Sequence, residues 1–213
     1  METAELTTRV LDAAEALFYR RGVQSVGMDA VRGAAQVSLK RLYQLFPSKE
    51  ALVRAYLLRR DERWRADLAR HVERRPAGTG RVLAVFDRLD VWFREPDFRG
   101  CAFINSFGEL GATSEPVAEA ARAHQRAVRA YLEHLVTEAG LPAAVAAPLF
   151  LLVQGAITAA AVGGGPEPAR QAEEAARTLL AAAAAGGPPP TAADHRPVAE
   201  PAGHDRPADR LTG

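Results

Sequence analysis

Two helix starts and one stop are packed into the stretch from Gln36 to Val53, and they constrain this chain more than any other segment. Ser38 is placed to cap a short helix, Phe46-Pro47 ends it, and Ser48 caps a second, long one. In the short helix Leu42 and Phe46 stand four apart and share one side, which leaves Lys40, Arg41 and Tyr43 facing outward. A helix of one to two turns with a capped, basic, aromatic-bearing N-terminal end has the shape and charge to enter a DNA major groove. Nucleic-acid recognition is therefore the first expectation.

The residues upstream agree with it. Leu6, Val10, Ala13, Ala14, Leu17 and Phe18 recur at helical spacing and predict a helix over 3–21, stopped by Gly22. A short helix over 28–35 follows, with Gly27 at its start and Asp29 in its first turn, where a negative charge is favourable. Only two residues separate Ala35 from Ser38, so the second and third helices form a helix-turn-helix. Helices this short are unstable alone. Leu17, Phe18, Val31, Leu42, Phe46 and Val53 are the expected core that holds them.

This order resembles the N-terminal domain of the tetracycline-repressor (TetR) family of transcriptional regulators. The shared features are the first helix, Gly22, the helix-turn-helix, Val37-Ser38, Leu42-Tyr43, Phe46, Ser48-Lys49-Glu50 and Leu52. They cover roughly residues 3–60; the rest is similar by helical architecture only. The resemblance implies a DNA-binding regulator that contacts its operator through Ser38, Leu39, Lys40, Arg41, Tyr43, Gln44 and Lys49. Leu39 and Lys40, in the first turn, are expected nearest the base edges, and Lys49 near a phosphate. Tyr43 has a second reading, as half-buried packing. Three residues depart from the family pattern. Gln36 replaces a turn glycine at a site that asks for positive φ. Arg32 replaces a small alanine and is free to reach a phosphate, and Leu45 replaces a histidine that helps hold the DNA backbone.

Charge points the same way. Residues 1–60 hold ten basic side chains against six acidic ones, a net +4, whereas the whole chain is only +1. Arg54, Arg59 and Arg60 read more simply as solvated surface. Lys49 lies in the first turn of the long helix, against the local dipole, and a nearby phosphate would relieve that placement.

No segment alternates with β-branched residues, so the chain is expected to be all-α, a three-helix head followed by a larger helical domain. A single cysteine, Cys101, excludes an internal disulfide, and the five histidines show no metal-ligand spacing. No cofactor motif is present. Met1-Glu2-Thr3 begins without a basic-then-apolar signal, so the chain is expected to stay in the cytoplasm. No charged residue lies between Glu138 and Glu167, and 143–162 is as long as a membrane span. Alanine and glycine dominate it, however, with Pro148, Gln154 and Thr158 inside. It reads as a helix buried half in its own domain and half against a second subunit.

Caps and breakers predict further helices over 48–74, 80–94, 114–139, 143–162 and 167–185, with an added segment over 100–110. The expected division is a DNA-binding head (1–47), an effector-binding and dimerisation domain (48–185) and a disordered Gly/Pro-rich tail (186–213). By resemblance, the second domain holds a small-molecule pocket and forms a homodimer through its last two helices, with Leu152 and Ile157 at the interface or in the adjoining core. Trp92, Phe103, Asn105, Phe107, Glu109, His124, Tyr131 and Gln154 are the expected lining. With Glu109 as the charged group inside, the effector would be mostly apolar, aromatic or cationic. A competing reading makes the aromatic residues plain core and His124 a satisfied core histidine. Asn105 and Glu109 read equally well as solvent-exposed.

Two classes of function follow. The first is a repressor released from a palindromic double-stranded operator by its effector; activation or partner recruitment on the same fold reads identically. The second is a helical-bundle enzyme, which the sequence disfavours. It offers no nucleophile–base pair, and Gly163-Gly164-Gly165 lacks the Lys-Ser/Thr of a phosphate loop.

Overall fold

The computed structural model describes residues 2–186, and among them the chain forms nine α-helices and no strand. They are α1 (Glu2–Arg21), α2 (Met28–Ala35), α3 (Leu39–Leu45), α4 (Lys49–Val72), α5 (Thr79–Phe93), α6 (Ala102–Leu110), α7 (Glu115–Glu138), α8 (Ala146–Gly163) and α9 (Glu167–Ala184). The all-α class is the one expected. The tail expected over 186–213 lies outside the described residues, save Gly186.

The head is a three-helix unit. Val10, Ala14 and Phe18 of α1 pack on Val31 of α2, Leu42 and Phe46 of α3, and Leu52 and Val53 of α4, all buried. Leu17 packs at the edge of this core, half-buried. Ser38 and Ser48 cap α3 and α4, each accepting a hydrogen bond from a backbone N–H three residues on, Arg41 (3.2 Å) and Ala51 (3.0 Å). Gln36 sits in the left-handed region (φ 53°, ψ 47°). Its N–H donates to Gly33 O and that of Val37 to Arg32 O, both at 3.2 Å, a Schellman closure of α2. A side chain in this conformation costs on the order of 1 kcal/mol. Arg9 offsets it from α1, its Nη2 donating to the otherwise unpaired carbonyls of Ala35 (2.7 Å) and Gln36 (3.3 Å).

In the larger domain α5, α7 and α9 surround α8. The expected helix start at 143 divides in two: Ala143–Val145 is a 3₁₀ turn and the α-helix begins at Ala146. Pro148 has no N–H to give Ala144, so it belongs in a first helical turn. Ala143–Gly163 is, among the described residues, the one helical stretch long and apolar enough to cross a membrane, and 39% of its most apolar window is buried against its own chain. Leu149, Val153, Ala156, Ile157 and Ala160 face that core. Ala147, Leu151, Gly155, Thr158, Ala159 and Val162 form an exposed, uncharged stripe. Ile157, expected at the interface or the core beside it, is core, whereas Leu151 and Val162 are the large apolar side chains left open.

Candidate functional site

Helix α3 presents Ser38, Leu39, Lys40, Tyr43 and Gln44 to solvent. Leu39 and Tyr43 are 41% and 45% exposed, which leaves the Tyr43 ring partly open to a partner. Part of their apolar surface stays open among the described residues, while Leu42 and Phe46 bury the opposite side. Arg41 is half-buried and reaches back, donating to Thr3 Oγ1 (3.1 Å) and Gln44 Oε1 (3.3 Å). Arg32 pairs with Asp29 on its own helix (3.1 Å), and Leu45 leans on the core. Lys49 is drawn onto the scaffold: its Nζ donates to Gln24 O at 3.2 Å. Loss of water lowers its pKa from the ordinary lysine value, against the opposing field of Glu109.

Two contacts latch the head to the larger domain, and a third ties the first turn of α4, on which the head rests, to α7. The Glu109 carboxylate, at the end of α6, accepts from Gln24 N at 2.7 Å, and the Gln24 side-chain amide donates to Glu109 O. Gly22 makes room for this. Its φ is +84°, and a Cβ there would stand 3.0 Å from Glu109 Oε1. Ser114, the cap of α7, donates to Glu50 on α4. Tyr19 of α1 donates its hydroxyl to Gly100 O and accepts from Arg99 N, both at 2.9 Å, while the Arg60 guanidinium lies 4.0 Å above its ring. Burial raises the Tyr19 pKa, so this hydroxyl stays a donor.

The expected effector pocket is not one cavity. Trp92, Phe103 and His124 are buried and close-packed with Trp64. His124 stacks flat on Phe103 at 3.7 Å, and its Nδ1 lies 2.7 Å from Asp61 Oδ1, so it is the satisfied core histidine. About 10 Å³ remains among these side chains, room for no more than one water. Burial pushes the Asp61 carboxyl up, but hydrogen bonds from His124 and Arg65 outweigh it and hold the pKa below its ordinary value. Tyr131 lies apart, over a surface depression beside Trp64 and Leu68. Asn105 is exposed and donates to Arg99 O (2.9 Å), and Glu109 stands at the latch.

A groove of about 570 Å³ opens instead between α6, α7 and α8. Its walls are Phe103, Ile104, Phe107, Ala121, Arg122, Gln125, Arg126 and Gln154. Phe103, Phe107 and Gln154 are the expected lining residues that it brings together. Gln125 Nε2 donates to Gln154 Oε1 at 3.3 Å within the wall. The charged groups are Arg122 and Arg126, not Glu109, so the expected preference for a cationic effector loses its basis. The four-residue spacing of Arg122 and Arg126 was visible in the sequence. That they flank an apolar groove depends on how α6 lies across α7.

A helix-turn-helix head with an exposed, capped recognition helix, mounted on a helical domain, defines a DNA-binding transcriptional regulator. Residues 10–56 match the family described as bacterial regulatory proteins, tetR family, and residues 78–176 match the tetracyclin repressor-like C-terminal domain. A TetR-family transcriptional regulator from Streptomyces coelicolor is 30% identical with a TM-score of 0.78, covering 84% of this chain and 96% of that one. A TetR-type regulator from Streptomyces avermitilis is 31% identical with a TM-score of 0.74, covering 84% and 98%. The chain belongs to the TetR family. Over 55 residues it is also 47% identical to an uncharacterized HTH-type transcriptional regulator of Mycobacterium tuberculosis, a match spanning 26% of this chain and 27% of that relative.

Proposed function

We propose that the chain works as a homodimeric cytoplasmic repressor that leaves a palindromic operator when a small molecule fills the groove between α6, α7 and α8. One observation supports this best: α6 touches both ends of the switch. It lends Phe103, Ile104 and Phe107 to the groove, and its last turn holds the head through Glu109 and Gln24. A ligand that displaces α6 changes the seat of the head, and with it the spacing of the two α3 helices in a dimer. Such a ligand shifts a population only by binding one arrangement more tightly than the other. In this reading residues 1–47 are the head, 48–185 sense and dimerise, and no catalytic role is assigned.

The dimer is proposed to form through α8 and α9, with the stripe of Leu151, Gly155 and Val162 meeting its symmetry mate. Leu151→Glu places a charge on that stripe without touching the chain's own core. Sedimentation at micromolar concentration is expected to give twice the 22.8 kDa chain mass for the wild type. The variant is expected to sediment as a monomer and to lose operator binding with it. A monomeric wild type would reject the dimer, and a dimeric Leu151→Glu variant would move the interface elsewhere.

A further inference from the structure

The groove leaves two large apolar side chains in water, Ile104 (39% exposed) and Phe107 (45% exposed), above a floor made by buried Phe103. Its volume of about 570 Å³ lies inside the usual range for small-molecule sites, roughly 300–1,000 Å³. Two guanidiniums line it and no carboxylate does. Arg122 and Arg126 are four apart on α7, so they rise from the same face one turn from each other.

Both arginines have partners, but weak ones. Arg122 meets Glu115 at 2.8 Å and Arg126 meets Glu119 at 2.6 Å, on an exposed flank of α7 outside the groove. Exposed pairs of this kind contribute little, and each guanidinium still has N–H donors to spare. A ligand whose apolar body covers Phe107 and Ile104 would bring an anionic head to the rim within reach of the two guanidiniums, where it would compete with Glu115 and Glu119 for their N–H donors.

We infer that the groove takes an amphipathic anion, an apolar body ending in a carboxylate, sulfonate or phosphate held between Arg122 and Arg126. The inference rests on the groove being the effector site, and it adds the chemical class of the effector.

The test titrates the full chain with two fluorogenic probes of similar shape, anilinonaphthalene sulfonate and uncharged N-phenylnaphthylamine. The double variant Arg122→Gln/Arg126→Gln is expected to weaken the sulfonate about tenfold or more. Binding of the uncharged probe should stay within about twofold, which also shows that the groove is still folded. Glu119→Gln, which frees both arginines from one competitor, is expected to tighten the sulfonate. Equal loss of both probes in the double variant, or weaker sulfonate binding in Glu119→Gln, overturns the assignment. Anisotropy of a labelled operator in the same titrations separates the two claims. Charge-dependent binding without operator release upholds the ligand class and removes the switch. Release by both probes alike, unaffected by the double variant, keeps the switch and overturns the class.

Discussion

Asp61→Ala is expected to destabilise the protein by about 2–3 kcal/mol, the cost of stranding a buried hydrogen-bonding group. Among the described residues, Asp61 on α4 is the hydrogen-bond partner of His124 Nδ1, at 2.7 Å, and His124 on α7 is 5% exposed. The imidazole is clamped between Phe103 and Trp64, so it cannot swing out to find water. Asp61→Asn keeps an oxygen that can accept from Nδ1 and should cost less than half as much. The pH dependence has a definite sign. The folded-state pKa of Asp61 is lowered, so its contribution is complete above the unfolded value and is lost as pH falls through the folded one. The gap between wild type and Asp61→Ala should therefore begin to close below about pH 4. Urea unfolding followed by Trp64 and Trp92 fluorescence measures it. Equal stability of the alanine variant and the wild type would show that this contact holds nothing.

Lys40→Ala/Tyr43→Ala is expected to lower operator affinity about a hundredfold, from roughly 1–2 kcal/mol at each position. Both side chains project from α3, and neither contributes to the core on which α3 rests. Thermal stability should therefore be unchanged, which distinguishes lost recognition from lost folding. Lys40, in the first turn, should also alter which operator bases are preferred. A double variant that binds as the wild type does would place the DNA contact elsewhere.

The head was legible because its signals are local. Ser38, Phe46-Pro47 and Ser48 each act within one turn of chain, and Leu42 and Phe46 mark a buried side by spacing alone. The effector region was not, because its geometry depends on pairs distant in sequence. His124 finds its partner 63 residues away, Glu109 finds Gln24 85 residues away, and no local pattern announces either. Glu109 and Asn105 share a helical face, as their spacing says, but that face looks toward the head, onto a cleft of about 230 Å³ shared with Tyr19 and Gly22, and not into the groove between α6, α7 and α8. Helix α8 lies between these cases. Its lack of charge marked it as covered, yet whether Leu151 or Leu152 stands open depends on how the helix is turned against α5, α7 and α9. Lys49 was expected at a phosphate from charge alone; its hydrogen bond to Gln24 O, 25 residues away, is a contact that no local pattern announces.

The most direct measurement is a fluorescence-anisotropy titration of the wild-type chain against DNA from immediately upstream of its own gene, repeated at several salt concentrations. The expected result is saturation at two chains per palindromic site. Affinity should fall steeply with salt and exceed that for scrambled DNA of equal length by about a thousandfold or more. Equal affinity for the upstream and scrambled fragments, at every salt concentration, would contradict sequence-specific operator recognition by this chain.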